Sequence, residues 1–176
     1  FNVEIQPIQW GAALGRIALA DYDKSVTDET PYVLSNVLTA PRPGSAQSNW
    51  REYPFAAKYV TINGSDPVDL RRHRWHWEAG ETRNGLSAGS FRTTILDEND
   101  DPVLEIVRRY VLRPEGYDIE LHQRLINRSG QALKVTWRQH IQGDVAEDRA
   151  AYLGDRRAFF TGYRNIETSR NLVFGK

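Results

Sequence analysis

The sequence predicts an all-β fold, a sandwich of antiparallel sheets, and three observations carry that expectation. Residues 110–141 form two alternating runs around the turn cluster Asn127-Arg128-Ser129-Gly130-Gln131. Tyr117, Ile119, Leu121 and Leu125 share one parity, and Asp118, Glu120, His122 and Arg124 the other. Leu133, Val135, Trp137 and Ile141 then alternate with Lys134, Thr136, Arg138 and His140. Period two sends successive side chains to opposite faces of a strand, so the segment reads as a hairpin with one dry and one wet face. The second observation is a series of short strand-like runs along the chain. The third is the punctuation between them by glycine, proline, asparagine and aspartate, the mark of a sandwich or barrel.

In chain order the expected strands are 1–5, 15–20, 32–36, 57–62, 74–78, 91–96, 103–112, 117–126 and 133–141. Phe1-Asn2-Val3-Glu4-Ile5 already alternates. Pro41-Arg42-Pro43-Gly44 follows the third strand, Asn63-Gly64-Ser65-Asp66-Pro67 the fourth, Asn84-Gly85 the fifth, and the stretch 97–102 the sixth. A helix is plausible after Asp144, where Glu147 completes a capping-box spacing and Gly154 supplies a stop. Residues 1–176 are read as one domain.

Composition narrows the function classes. Twenty-three basic and 23 acidic side chains leave a formal net charge of zero, which argues against general attraction to nucleic acid or anionic membranes. There is no cysteine, hence no disulfide or thiolate chemistry. No run of about 18 apolar residues exists that would span a bilayer as a helix. The chain has no methionine and is read as a piece of a longer protein.

No catalytic motif is satisfied. Gly85-Leu86-Ser87-Ala88-Gly89 matches the nucleophile-elbow pattern, but polar turn residues precede it and a strand follows, whereas the elbow needs a buried strand and then a helix. Asp97-Glu98-Asn99-Asp100-Asp101 invites a calcium loop, yet Pro102 and Arg108 stand where glycine and glutamate are required. His73 and His76 would diverge on a strand, and a zinc site needs further ligands. His122 and His140, with Glu120 as candidate base, are the residues a mutarotase-like acid–base reaction would use. No metal site and no cofactor is therefore expected. The sequons at Asn63 and Asn127 lie in turns that explain them without sugar. Trp75, Trp77 and Trp137 are assigned to the core rather than to a sugar-stacking platform. The tail mixes arginine and aromatics, the composition of interface centres, and Arg156, Arg157, Phe159, Phe160 and Tyr163 are its candidate partner-binding residues.

The residues also carry a family resemblance. Trp10-Gly11-Ala12-Ala13-Leu14-Gly15-Arg16-Ile17-Ala18-Leu19, then Tyr22, then Pro31-Tyr32-Val33-Leu34, is similar to the first strands of the large periplasmic domain of YidC-type membrane protein insertases. Further on, the stretch 105–112, then Arg113-Pro114-Glu115-Gly116-Tyr117, and a strand ending in Asn127-Arg128-Ser129-Gly130 resemble that family's strand, Gly-aromatic, strand, Asn-x-Gly order. The resemblance implies a β-supersandwich of two antiparallel sheets, related in shape to galactose mutarotases, with at most one or two short helices. It implies a non-catalytic domain at the periplasmic face of the bacterial inner membrane, in a multi-pass parent that inserts and folds membrane proteins. The implied partners are the Sec translocon and its SecDF accessory proteins, contacted in a docking or scaffold role. Nascent membrane proteins would meet the parent's membrane core. The alternative reading is a carbohydrate-binding or mutarotase-like sandwich.

Overall fold

The structure is a computed structural model that describes residues 1–41, 49–80, 86–141, 160–165 and 170–175. It is all-β. The expected helix after Asp144 lies outside the described residues. The strands are β1 (Val3–Ile8), β2 (Ala13–Ser25), β3 (Asp28–Asn36), β4 (Leu38–Pro41), β5 (Asn49–Glu52), β6 (Ala57–Ile62), β7 (Val68–Asp69), β8 (His76–Ala79), β9 (Ser87–Leu96), β10 (Pro102–Leu112), β11 (Ile119–Asn127), β12 (Val135–Gln139), β13 (Phe160–Asn165) and β14 (Arg170–Gly175). Every pairing is antiparallel. The chain divides into two compact units, residues 1–146 and 147–176. The second contains the β13–β14 pair.

In the first unit the strands form sheets ordered β1-β2-β3, β11-β10-β9-β8, β12-β6-β7 and β4-β5. Three of these sheets share one core. Leu14 and Ile17 enter it from β2, Val60 from β6, Phe91 and Ile95 from β9, and Leu104, Ile106 and Tyr110 from β10. The alternation that predicts strands is seen directly in β9, where Phe91, Thr93 and Ile95 are buried and Arg92, Thr94 and Leu96 exposed. β10 lies between β9 and β11 and is buried along much of both faces, as a central strand should be. Pro7 cannot donate to a ladder, and β1, an edge strand, has its register shift at Gln6/Pro7.

One expectation is corrected. The runs 117–126 and 133–141 are both strands, but they do not form a hairpin. β11 pairs with β10, and β12 pairs with β6 in another sheet. The intervening turn redirects the chain instead of folding it back. Asn127 Oδ1 accepts from the Ser129 amide at 2.9 Å and from its hydroxyl at 2.9 Å. The Asn127 amide also donates to the Gln131 carbonyl, and Gly130 takes φ 70°. Beyond the turn, Lys134 N–H donates to Asn63 Oδ1 at 2.8 Å, and Asn63 N–H to the Lys134 carbonyl at 2.8 Å. This asparagine clasp delivers the chain to β6. Alternation reports which face of a strand is dry, and it carries no information on which strand lies beside it.

Between β1 and β2 a short 3-10 turn, Trp10–Ala12, holds Gly11 at φ 63° and Ala12 at φ 49°. A Cβ on Gly11 would approach the Ala57 carbonyl oxygen to 2.7 Å. Gly11→Ala therefore adds left-handed backbone strain to a steric clash, and is expected to cost about 1–3 kcal/mol. The melting temperature should fall by roughly 3–10 °C; an unchanged thermal melt would show that the turn relaxes freely.

Candidate functional site

A concavity lies on the outward face of the β12-β6-β7 sheet. Register places Arg138 opposite Tyr59 and Thr136 opposite Thr61, while Val60 and Trp137 point into or against the core. With Pro67 these four side chains line a groove of about 330 Å³. Tyr59 is held from behind. Arg71 Nη2 donates to its hydroxyl at 2.6 Å, and the guanidinium lies 5.0 Å from its ring centre. Arg71 is itself fixed by Asp69, through Nε–Oδ1 at 2.9 Å and Nη2–Oδ2 at 3.0 Å. Buried Glu52 lies 3.5 Å from Arg71 and 2.8 Å from Lys58. The hydrogen bond from Arg71 holds the Asp69 carboxyl below its ordinary range, and the same bond raises Arg71. Arg138, by contrast, is exposed and has no ion pair among the described residues.

The outward face of the four-stranded sheet is charged. Glu105 is nearly fully buried and receives Arg128, at 2.9 and 2.5 Å, and Arg92. Arg128 first, and Arg92 second, hold its carboxyl below the ordinary glutamate value. A depressed folded-state value gives stabilisation that is present above the unfolded glutamate pKa, about 4.3, and is lost as pH falls through the folded value. The urea midpoint should therefore drop more steeply on acidification below about pH 5 in the wild type than in Glu105→Gln. Parallel acid limbs would refute that assignment. Arg109 and Arg124 share this face, exposed and without an ion pair among the described residues.

Between the sheets sits a cation that the sequence reading missed. Arg108 is completely buried. Its Nη1 donates to the Gly11 carbonyl at 2.9 Å and the Ala12 carbonyl at 3.2 Å, and the Tyr110 hydroxyl donates to Ala12 at 2.8 Å. The guanidinium lies 5.9 Å from the ring centres of both Tyr110 and Trp137. Nε and Nη2 have no hydrogen-bond partner among the described residues. Burial pushes the Arg108 pKa down and the Tyr110 pKa up to about 12. A signal was available: Leu104, Ile106, Tyr110 and Leu112 are core residues of one parity, and Arg108 falls in that row.

The expected acid–base constellation is not assembled. His122 lies on β11 and His140 just past β12, in different sheets. His122 Nε2 is 3.1 Å from Glu120 Oε2, but both sit on a surface strand. Arg113 binds Glu120 at 2.7 and 2.5 Å and, first among the causes, lowers its pKa, which weakens it as a base. His76 begins β8 beside Glu78 at 3.7 Å, while His73 lies in the preceding connection. Among the described residues no group of three or more metal-ligating side chains forms. Asp97 Oδ1 instead accepts from the Asn99 and Asp101 amides, closing the turn between β9 and β10. Ser87 starts β9 and is followed by strand, so the elbow geometry is missing on that side. Trp75 is buried, and Trp77 and Trp137 pack against the core. Of the tail candidates, Arg156, Arg157 and Phe159 lie outside the described residues; Phe160 and Tyr163 fall within β13.

With the strand order and these faces in view, the family is decided by a match of the family model described as the YidC periplasmic domain to residues 2–169. The chain belongs to the YidC periplasmic domain family. No curated protein and no solved structure matches it significantly. Membership accounts for the all-β architecture and associates the chain with a periplasmic domain of an insertase. Among the described residues no helix is long and apolar enough to cross a membrane.

Proposed function

We propose that this YidC-family domain is a non-catalytic docking and scaffold domain at the periplasmic face of the inner membrane. It is a β-supersandwich acting as one domain over residues 1–176, and it presents surfaces to the Sec translocon and SecDF while the parent's membrane core inserts nascent proteins. The observation that carries this reading is the family match over residues 2–169. Support comes from the character of the outward faces: Arg109, Arg124 and Arg138 are exposed cations with no internal partner among the described residues, free to meet another molecule. The tail residues Arg156, Arg157, Phe159, Phe160 and Tyr163 remain candidate contacts by composition.

Site-specific photo-crosslinking tests it in the membrane-embedded parent protein. Probes at Arg109, Arg124, Arg138, Phe160 and Tyr163 are expected to give discrete adducts with Sec components from at least one face. The absence of protein adducts from every position would overturn the docking role.

A further inference from the structure

We propose that the outward row Lys134–Thr136–Arg138 binds an extended acidic polypeptide segment, with carboxylates four residues apart meeting Lys134 and Arg138 and the residue between them over Thr136. Exposure alternates strictly here: Lys134, Thr136 and Arg138 are exposed, and Val135 and Trp137 half-buried against the core. The row therefore faces one way. Lys134 immediately precedes β12 and Arg138 is its fourth residue, so at the rise of a strand the two cations stand about 13 Å apart, a distance that an extended ligand reproduces only at the same four-residue spacing. Neither cation has an ion pair among the described residues. The nearby acid Asp69 is already taken by Arg71.

Shape points to the same class of ligand. The groove that contains Thr136 and Arg138 measures about 330 Å³, at the small end of ligand sites and suited to one or two side chains rather than an oligosaccharide. One face of Tyr59, the only aromatic lining the groove among the described residues, is covered by Arg71, which leaves less ring surface for stacking a sugar. The lining is also preorganised: Tyr59 is fixed by the Arg71–Asp69 pair, and β12 is held to β6 along its length. The inference rests on the docking reading in that it supplies a chemical class for one docking contact.

The test uses the purified chain and nitrogen–proton NMR titration with a blocked pentapeptide carrying glutamate at its first and fifth positions. Saturable shifts confined to the amides around Thr136 and Arg138 are expected, weakening as salt rises from about 20 to 200 mM. Lys134→Gln and Arg138→Gln should each weaken binding at least fivefold, while Arg124→Gln, on the other sheet, leaves it unchanged. A peptide with both glutamates replaced by glutamine should not bind. Equal binding of the glutamine peptide, equal binding of glucuronate, or equal loss in Arg124→Gln would each overturn the assignment. Crosslinks to Sec components through other faces would survive such a result, so failure here and failure of the docking role are separable.

Discussion

Arg108→Ala is expected to lower the free energy of unfolding by about 3–5 kcal/mol, the range for truncating a large core side chain. The variant leaves a cavity and strips the Gly11 carbonyl of its donor at a turn already bent to positive φ. Arg108→Met separates the two contributions. It keeps most of the volume and removes the uncompensated charge, so only the lost carbonyl contacts remain, and a loss of about 1–3 kcal/mol is expected. Urea unfolding of both variants would settle this. An Ala variant within about 1 kcal/mol of wild type would mean that the core closes over the gap. The effect also reaches the surface. Arg108 lies against Trp137, whose neighbours Thr136 and Arg138 line the outward groove, so Arg108→Ala should broaden their amide signals.

Trp75→Ala should be of similar size, about 3–5 kcal/mol. Trp75 is among the largest fully buried side chains, and its indole donates to the Leu70 carbonyl at 2.9 Å. That bond ties down the connection from β7 to β8, the segment that carries Arg71 to Tyr59. Trp75→Phe fills much of the site but abandons the Leu70 carbonyl, and should cost less than the alanine variant. If the phenylalanine protein proved as unstable as the alanine one, the hydrogen bond rather than the packing would dominate. Against a typical total of about 5–15 kcal/mol, either alanine variant consumes a large share of the stability.

The two residues differ in how they could be found. Trp75 is legible as core because large aromatic side chains are seldom left in water. Arg108 is an arginine in a row of apolar residues, and alternation alone places it on the dry face. What alternation could not supply was the acceptor: the carbonyls of Gly11 and Ala12 are nearly a hundred residues away in sequence. The groove was invisible for the same reason. Tyr59, Thr61, Thr136 and Arg138 become neighbours only when β12 pairs with β6, whereas the hairpin expected from sequence would have paired that run with β11. The same misassignment made His122 and His140 look like companions.

By itself the sequence determined that this chain is built of strands, which side of many of them is dry, and which family it belongs to. Each of those is written in local alternation, in turn residues and in the order of short blocks. Only the tertiary structure decided that the turn after β11 crosses between sheets, that Arg108 is sealed beneath Tyr110 and Trp137, and that Lys134 and Arg138 stand on one outward row without an ion pair among the described residues. Partner choice between strands is set by long-range contacts and by clasps such as Asn63 with Lys134, and no local period encodes them.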